Sequence, residues 1–534
     1  VSATETSLAT PTALVLSRLG DFFAHRRPWH RRLWNIGTLL ALREVLEYAD
    51  ACLTEAVHST EGLRFVVGAV RREVGRDPGV APLAAEIDTC LERLGVPSQS
   101  KIPVAARDEL DHLTRRVEAD YLDNWCHTTT TTAVEFSARA FASHLLDLGF
   151  SPDHLHRWIM KVGPTITDLA ELATATHNMA TSIPKRAFDV FVPCAAPYRK
   201  PEITEGPVNW IDGKTAANWL RQQLPNEETR RHAGGFLLQV ECRDPWSAVE
   251  VARATVARAD ARAKVSRQSS EGICLDGWAR IAGDKREYSV RPTPRQVEIG
   301  SLFRQDAVYR FNHGLPTATD DALELASYME SPSEGAAVTG GWSAIEGLLI
   351  RPGEGSHHVA ADRLAALIAC SLPRAELTPL AYRHMENADD ALANSLGSAE
   401  SNHEKVRLVE DHLRKGSQLV LADGSDLAAQ SRIIAIINDP SQELSRIKIY
   451  VTESLRRLYN QRNTVAHSGS LRSAALDATI RTALSLVGAG LDRIVHAQLE
   501  ARGDLAPLSL VARAEIELRL VGTPGGRDLS SLLE

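Results

Sequence analysis

QELSRIKIYVTESLRRLYNQRNTVAHSG, residues 442–469, is the stretch from which fold and chemistry can both be read. Leu444, Ile447, Val451, Leu455, Leu458, Arg462 and Val465 follow one another at steps of three or four. That spacing puts them on one face of an amphipathic helix. The stripe carries Arg462 into packed surface, where an arginine needs a partner or a job. Tyr459, Asn463 and His467 form a second stripe at steps of four. Gly469, two residues past His467, is a natural helix stop. The spacing predicts a long helix whose end presents Arg, Asn and His together.

Helical spacing continues on both sides of this stretch. DDALELASYME, WSAIEGLLI, VAADRLAALIACSLP, EKVRLVEDHLRK and AAQSRIIAIIN precede it, and residues 474–501 follow it. Short loops between such segments predict a helical bundle over 319–503. Trp342, Ile345, Glu346 and Leu349 share one helix face. Glu346 on an apolar stripe needs a cation, and Arg462 and Arg363 are both open as partners. The tail, 504–534, contains TPGGR and reads as a mobile terminus.

The segment around Arg462 resembles the HEPN family. Ribonuclease members of that family carry Arg, four to six residues, then His near the end of a long helix, often with Asn after the Arg. Arg462, Asn463 and His467 fit with a four-residue spacer. Arg and His recur with spacers of four to six elsewhere, as in Arg107/His112 and Arg351/His357, but without the Asn. GGWSAIEGLLI, residues 340–350, is similar to the family helix that faces the motif. The resemblance covers about the last third of the chain. It implies an all-helical domain, a catalytic Arg462 and His467 assisted by Asn463, and a site composed from two copies. Glu346 and Tyr459 are the expected supporting residues. Toxins of the family that pair with nucleotidyltransferase antitoxins often carry Tyr two residues after the His. Gly469 stands there, which argues against that pairing.

The chain upstream divides by pattern. Residues 1–183 read as a helical N-terminal domain, with helical spacing in LLALREVLEYADACLTEAV and ARDELDHLTRRVEADYLDNW. Residues 184–318 read as a small α+β module. RAFDVFVPCAAP and GGFLLQVECRDP look like strands, as do GICLDGWARIA and REYSVRP. SAVEVARATVARADARAKV is a helix with Ser247 as its expected cap. GKT at 213–215 invites a phosphate-loop reading, but Val208 stands where that loop requires glycine and no strand is read feeding into it. The fold class is therefore mainly α, with a small α+β module between two helical regions.

One further cluster stands out in the first region, HRRPWHRRLW at 25–34. Arg26, Arg27, Arg31 and Arg32 interleaved with Trp29 have the composition of a single-strand RNA contact. The same residues also suit a helix-connecting turn whose tryptophans anchor into the core.

Composition sets limits. At 534 residues the chain exceeds one core. Its net charge of −8 excludes whole-surface attraction to nucleic acid, so RNA must meet a local basic patch. The 7 cysteines are odd in number and contain no CxxC pair, which argues for a reducing cytoplasm and against a zinc ribbon. His357 and His358 are adjacent, but no ligand cluster accompanies them, so neither metal nor cofactor is expected. The first twenty residues lack a basic segment ahead of their apolar part, so no signal peptide is expected. No stretch is read as spanning a membrane.

The chemistry open to Arg462, Asn463 and His467 is narrow. A neutral histidine moves protons near pH 7, and an arginine offsets charge that builds on phosphate. Together they suffice for attack of an RNA 2′-OH on its own phosphate, whereas DNA lacks that hydroxyl. On a regular α-helix, residues five apart point about 140° apart, which favours a site shared by two chains across a two-fold axis. The expected function is a metal-independent endoribonuclease. By resemblance it would be a toxin or anti-phage effector, with residues 1–318 sensing a trigger or partner protein. The alternative is a non-catalytic HEPN-like scaffold that binds a partner protein or nucleotide.

Overall fold

Apolar residues recur at helical spacing through most of the chain, and polar residues cap the segments they start. Ser59, Ser333, Ser401 and Asp423 each accept a backbone N–H at a helix N-terminus. The computed structural model describes residues 10–54, 59–96, 102–128, 132–196, 208–223, 232–266, 272–291, 295, 297–309, 315–469, 471–501 and 504–534. The first nine residues of the segment tested for a signal peptide lie outside these. The protein is mainly α with one small antiparallel sheet.

The chain forms two compact units. One takes in Val1–His144, Val162–Thr174 and Pro294–Glu534; the other takes in Leu145–Lys161 and Ala175–Thr293. The N-terminal helices and the C-terminal bundle thus share the first unit, instead of forming the separate domains that sequence pattern suggested. The physical reason is a set of buried ion pairs between them. Arg457 of the motif helix meets both oxygens of Glu44 at 2.9 Å. Arg18 and Arg432 share Glu135, and Arg432 also holds the buried Glu376. Burial pushes the Glu135 carboxyl up, but the two guanidinium groups outweigh it and hold it at about 2.

The centre of this unit is the 29-residue helix Val359–Asn387, packed by the motif helix and by Leu476–Glu500. By length and composition alone it qualifies as a membrane span, which the sequence reading had excluded for the whole chain. However, 72% of its most apolar stretch is buried within the protein. The tail is also folded. Pro507–Leu520 is a helix, and Leu529, Leu532 and Leu533 are buried in the same core. Their apolar side chains outweigh the Gly- and Pro-rich turn before them.

The second unit holds strands β1 (Arg186–Cys194), β2 (Val208–Asp212), β3 (Gly234–Cys242), β4 (Trp278–Ile281) and β5 (Tyr288–Ser289). Their order is β2-β3-β1-β4-β5, and every pairing is antiparallel. Alternation along β1 sends Phe188, Val190 and Val192 to one core and Phe191 to another. Helix Pro245–Val265 covers the first face and helix Gly213–Gln223 the second. Two local expectations change here. Asp244, not Ser247, is the N-cap; Ser247 sits three residues on and completes a capping box. β2 also runs directly into Gly213, a strand that the sequence reading missed.

Candidate active site at the end of the motif helix

The motif helix, Pro440–Asn463, begins where Asp439 accepts the Gln442 N–H at 3.0 Å. Its apolar stripe packs as the spacing predicts, with Leu444, Val451, Leu455 and Leu458 buried. The helix then widens into a π-turn, Thr464–Ser468, closed by Gly469 at φ 64°. Glycine occupies that left-handed conformation without steric cost. An i→i+5 turn winds by only about 80–90° per residue, which brings Arg462 and His467 to roughly 40–90° apart around the axis. A local widening therefore removes much of the splay that a regular helix imposes.

His467 is exposed, and its ring bonds to no described residue. Arg462 is half-buried and held from two sides. Its Nη1 donates to Oδ1 of Asn463 at 3.1 Å, and its Nη2 lies 3.7 Å from Oε2 of Glu346. Its Nε is buried without a hydrogen-bond partner among the described residues. A guanidinium has five N–H groups, so donors remain for an anion. Of the two arginines open to Glu346, Arg462 is the one that pairs. Arg363 instead holds Glu354 at 2.7 and 2.8 Å, and this hydrogen bonding keeps the Glu354 carboxyl at about 2. Glu346 is half-buried, not fully buried, with its side chain 19% exposed.

Tyr459 packs against the buried Trp342, ring centres 4.8 Å apart. Sequence reasoning missed the role of His357. Its Nδ1–H donates to the free oxygen of Glu346, so an imidazole, a carboxylate and a guanidinium form one chain. No spacing signal marks this, because the Gly-rich loop of residues 351–358 must fold back to make the contact. Its neighbour His358 is pushed down by burial and by nearby Arg456. Glu47 of helix Thr38–Thr54 accepts from Ser473 Oγ and the Ala474 N–H, both at 3.0 Å. That anchors the loop beyond the π-turn. Among the described residues, no group of three or more His, Cys, Asp or Glu side chains is placed to hold a metal ion.

The HRRPWHRRLW cluster lies in a different place in the same unit, and most of it is committed to the fold. Arg31 is buried against Asp426 at 2.7 Å and Ser425 at 2.9 Å. Arg32 donates to the carbonyls of His25, Arg27 and Arg295. Arg27 pairs with Asp21 at 3.0 Å. Trp29 stacks on Trp34, with centres 6.1 Å apart. The expected RNA contact is thus not available as a group, since three of its four arginines have intramolecular partners. Arg26 is exposed. Arg26, Arg27 and Trp29 line a cavity whose walls include none of Arg462, Asn463 and His467. Compared with family models, curated proteins and solved structures, the chain matches none.

Proposed function

We propose that the chain is a metal-independent endoribonuclease of HEPN type, acting at the end of the motif helix. The observation that supports this most is the presence, at one helix end, of an exposed His467 without a partner among the described residues and an Arg462 held by Asn463 and Glu346. His467 accepts the proton of the RNA 2′-OH as its oxygen bonds to phosphorus. Arg462 stabilises the charge that builds on the phosphate oxygens. The bond from phosphorus to the 5′ oxygen breaks, leaving a 2′,3′-cyclic phosphate and a 5′-OH. The leaving oxygen takes its proton from a second imidazole. His467 of a second copy and this chain's own His357 are the two sources within the proposal. The family resemblance adds the biological reading, a toxin or anti-phage effector acting in the cytoplasm, with its N-terminal regions sensing a trigger.

The non-catalytic scaffold is favoured by one observation. The Glu346 carboxylate offsets part of the Arg462 charge that a phosphate needs. One experiment separates the two readings. Total RNA is incubated with the parent protein, Arg462→Ala and His467→Ala, with and without EDTA, while circular dichroism monitors folding. Cleavage by the parent that survives EDTA and is lost in both folded variants is the expected result. Cleavage retained in both variants would place the site elsewhere, and none by the parent on any RNA favours the scaffold.

A further inference from the structure

One cavity of the first unit has a volume of about 820 Å³, within the range of small-molecule sites. Its wall is unusually rich in arginine: Arg26, Arg27, Arg304, Arg374 and Arg493 all line it. Carboxylates compensate only part of this charge. Asp492 is taken up by Arg304 and by the Ser301 N–H, and Arg27 is paired with Asp21. Arg374 and Arg493 hydrogen-bond to main-chain carbonyls, with Glu534 and Glu517 near Arg374 and Asp492 near Arg493. Arg374 donates to the carbonyls of Ser530 and Leu532, and Arg493 to that of Leu533. Carbonyl partners orient a guanidinium without cancelling its charge.

Five residues on the wall carry buried polar atoms with no hydrogen-bond partner among the described residues: Nε of Arg27, both ring nitrogens of His30, Nδ1 of His403, Oγ of Ser485 and Nε of Arg493. Arg27, His30 and His403 have carboxylates within ion-pair distance, those of Asp21, Glu376 and Glu534. His30 is only 5% exposed. Buried polar atoms are normally satisfied, and Oγ of Ser485 and Nε of Arg493 have neither a hydrogen bond nor an ion pair among the described residues. Burial also pushes Arg493 down to about 10, and nearby Arg374 and Arg513 add to the shift. An anion placed between these like charges would relieve both costs. Trp29 lines the cavity as well and offers it a planar aromatic.

We infer that this cavity binds a nucleoside polyphosphate, with Arg374 and Arg493 holding its phosphates and Trp29 beside its base. Arginine suits phosphate because its planar fork matches two phosphate oxygens at once. The site is separate from the end of the motif helix, and the inference does not depend on the protein cutting RNA.

Calorimetric titration of the full chain tests it, with ATP as the probe and adenosine as the control lacking phosphate. ATP should bind at least ~10-fold more tightly than adenosine. Arg374→Gln should weaken ATP by a similar factor, and Arg26→Ala at the exposed rim by a few-fold. Circular dichroism establishes that each variant is folded. ATP binding no tighter than adenosine overturns the inference, as does a folded Arg374→Gln that binds ATP like the parent. Should Arg374→Gln fail to fold, unchanged ATP binding in Arg26→Ala overturns it equally. Cleavage plays no part in the readout, so failure here and failure of the ribonuclease proposal are told apart.

Discussion

Removing Glu44 tests whether the N-terminal helices belong to the same body as the motif helix. Glu44 lies on helix Thr38–Thr54 and meets Nε of Arg457 with both oxygens at 2.9 Å. The side chains are 5% and 6% exposed, so water screens the pair little. Arg457 already has one buried nitrogen, Nη1, without a partner. Glu44→Ala leaves that guanidinium buried without its hydrogen-bonded carboxylate, with only the charge of Glu453 nearby, which costs up to about 3–5 kcal/mol. A solvent-exposed pair would lose only about 0–1 kcal/mol. Against a typical total of about 5–15 kcal/mol, the loss is large. Because the chain has two compact units, a single unfolding midpoint is a poor readout. Peptide-resolved hydrogen exchange is better suited. Exchange across residues 38–54 should accelerate by about 10²–10⁴-fold, following the same free energy. Glu44→Leu combined with Arg457→Met removes both charges and should recover most of the protection. Unchanged exchange over 38–54 in Glu44→Ala would refute the docking of this helix on the motif helix.

Three more outcomes are expected. Glu346→Gln keeps the shape but removes the charge shared by Arg462 and His357. Stability should change by less than about 1 kcal/mol in urea denaturation, while the pH profile of cleavage shifts; an unaltered profile would exclude Glu346 from positioning these groups. His30 is pushed down to about 4 by burial, with Glu376 opposing and Arg31, Arg432 and Arg18 reinforcing the shift. Its folded value lies below the unfolded 6.5, so the unfolded chain takes the proton first and stability falls as pH drops from 6.5 to 4. The loss is about 3 kcal/mol, and His30→Leu should flatten that part of a stability curve measured against pH. Finally, sedimentation of the full chain should show a dimer under conditions where it cleaves RNA. A strictly monomeric, active protein would rule out the two-copy site and leave His357 as the second imidazole.

What the sequence revealed and what it concealed divide along physical lines. The stripe from Leu444 to Val465 was legible because burial of a helix face imposes a period on apolar residues. Arg462 on that stripe, and Glu346 on another, were legible as charges in packed surface that needed partners, but the choice between Arg462 and Arg363 for Glu346 was not. The π-turn was not, because it depends on a change of hydrogen-bond partner over five residues that leaves no compositional trace. The Glu44–Arg457 pair was hidden for a different reason. Its members are 413 residues apart, and one sequence holds no information on which distant charge meets which. Short elements failed on their own terms: β2 is five residues long, and its apolar residues are too few to show alternation.

The widened turn and the docked N-terminal helices together restrict how two copies could build one site. One flank of the motif helix is already occupied within the chain. Glu453, Arg457, Asn460 and Gln461 are buried there, and Glu44 and Arg72 reach Arg457 and Glu453 from the N-terminal helices. Its apolar stripe is buried in the core. A second copy that shares the site therefore approaches the end of the helix, where His467 and Gly469 are exposed; the other exposed face of the helix, with Ser445, Arg446 and Ile449, lies toward its start. In that approach each chain keeps its own Arg462 on Glu346 and offers His467 outward. The angular reason for requiring a second copy is also weaker, since the π-turn has removed part of the separation. What a second copy still supplies is the other proton-transfer group. The case for dimerisation thus rests on acid–base chemistry more than on the angle between Arg462 and His467. A fragment of the bundle alone is unsuitable for testing it. Residues 319–503 would lose Glu44 from Arg457 and the helix Pro507–Leu520 from the core, exposing surface that the full chain covers.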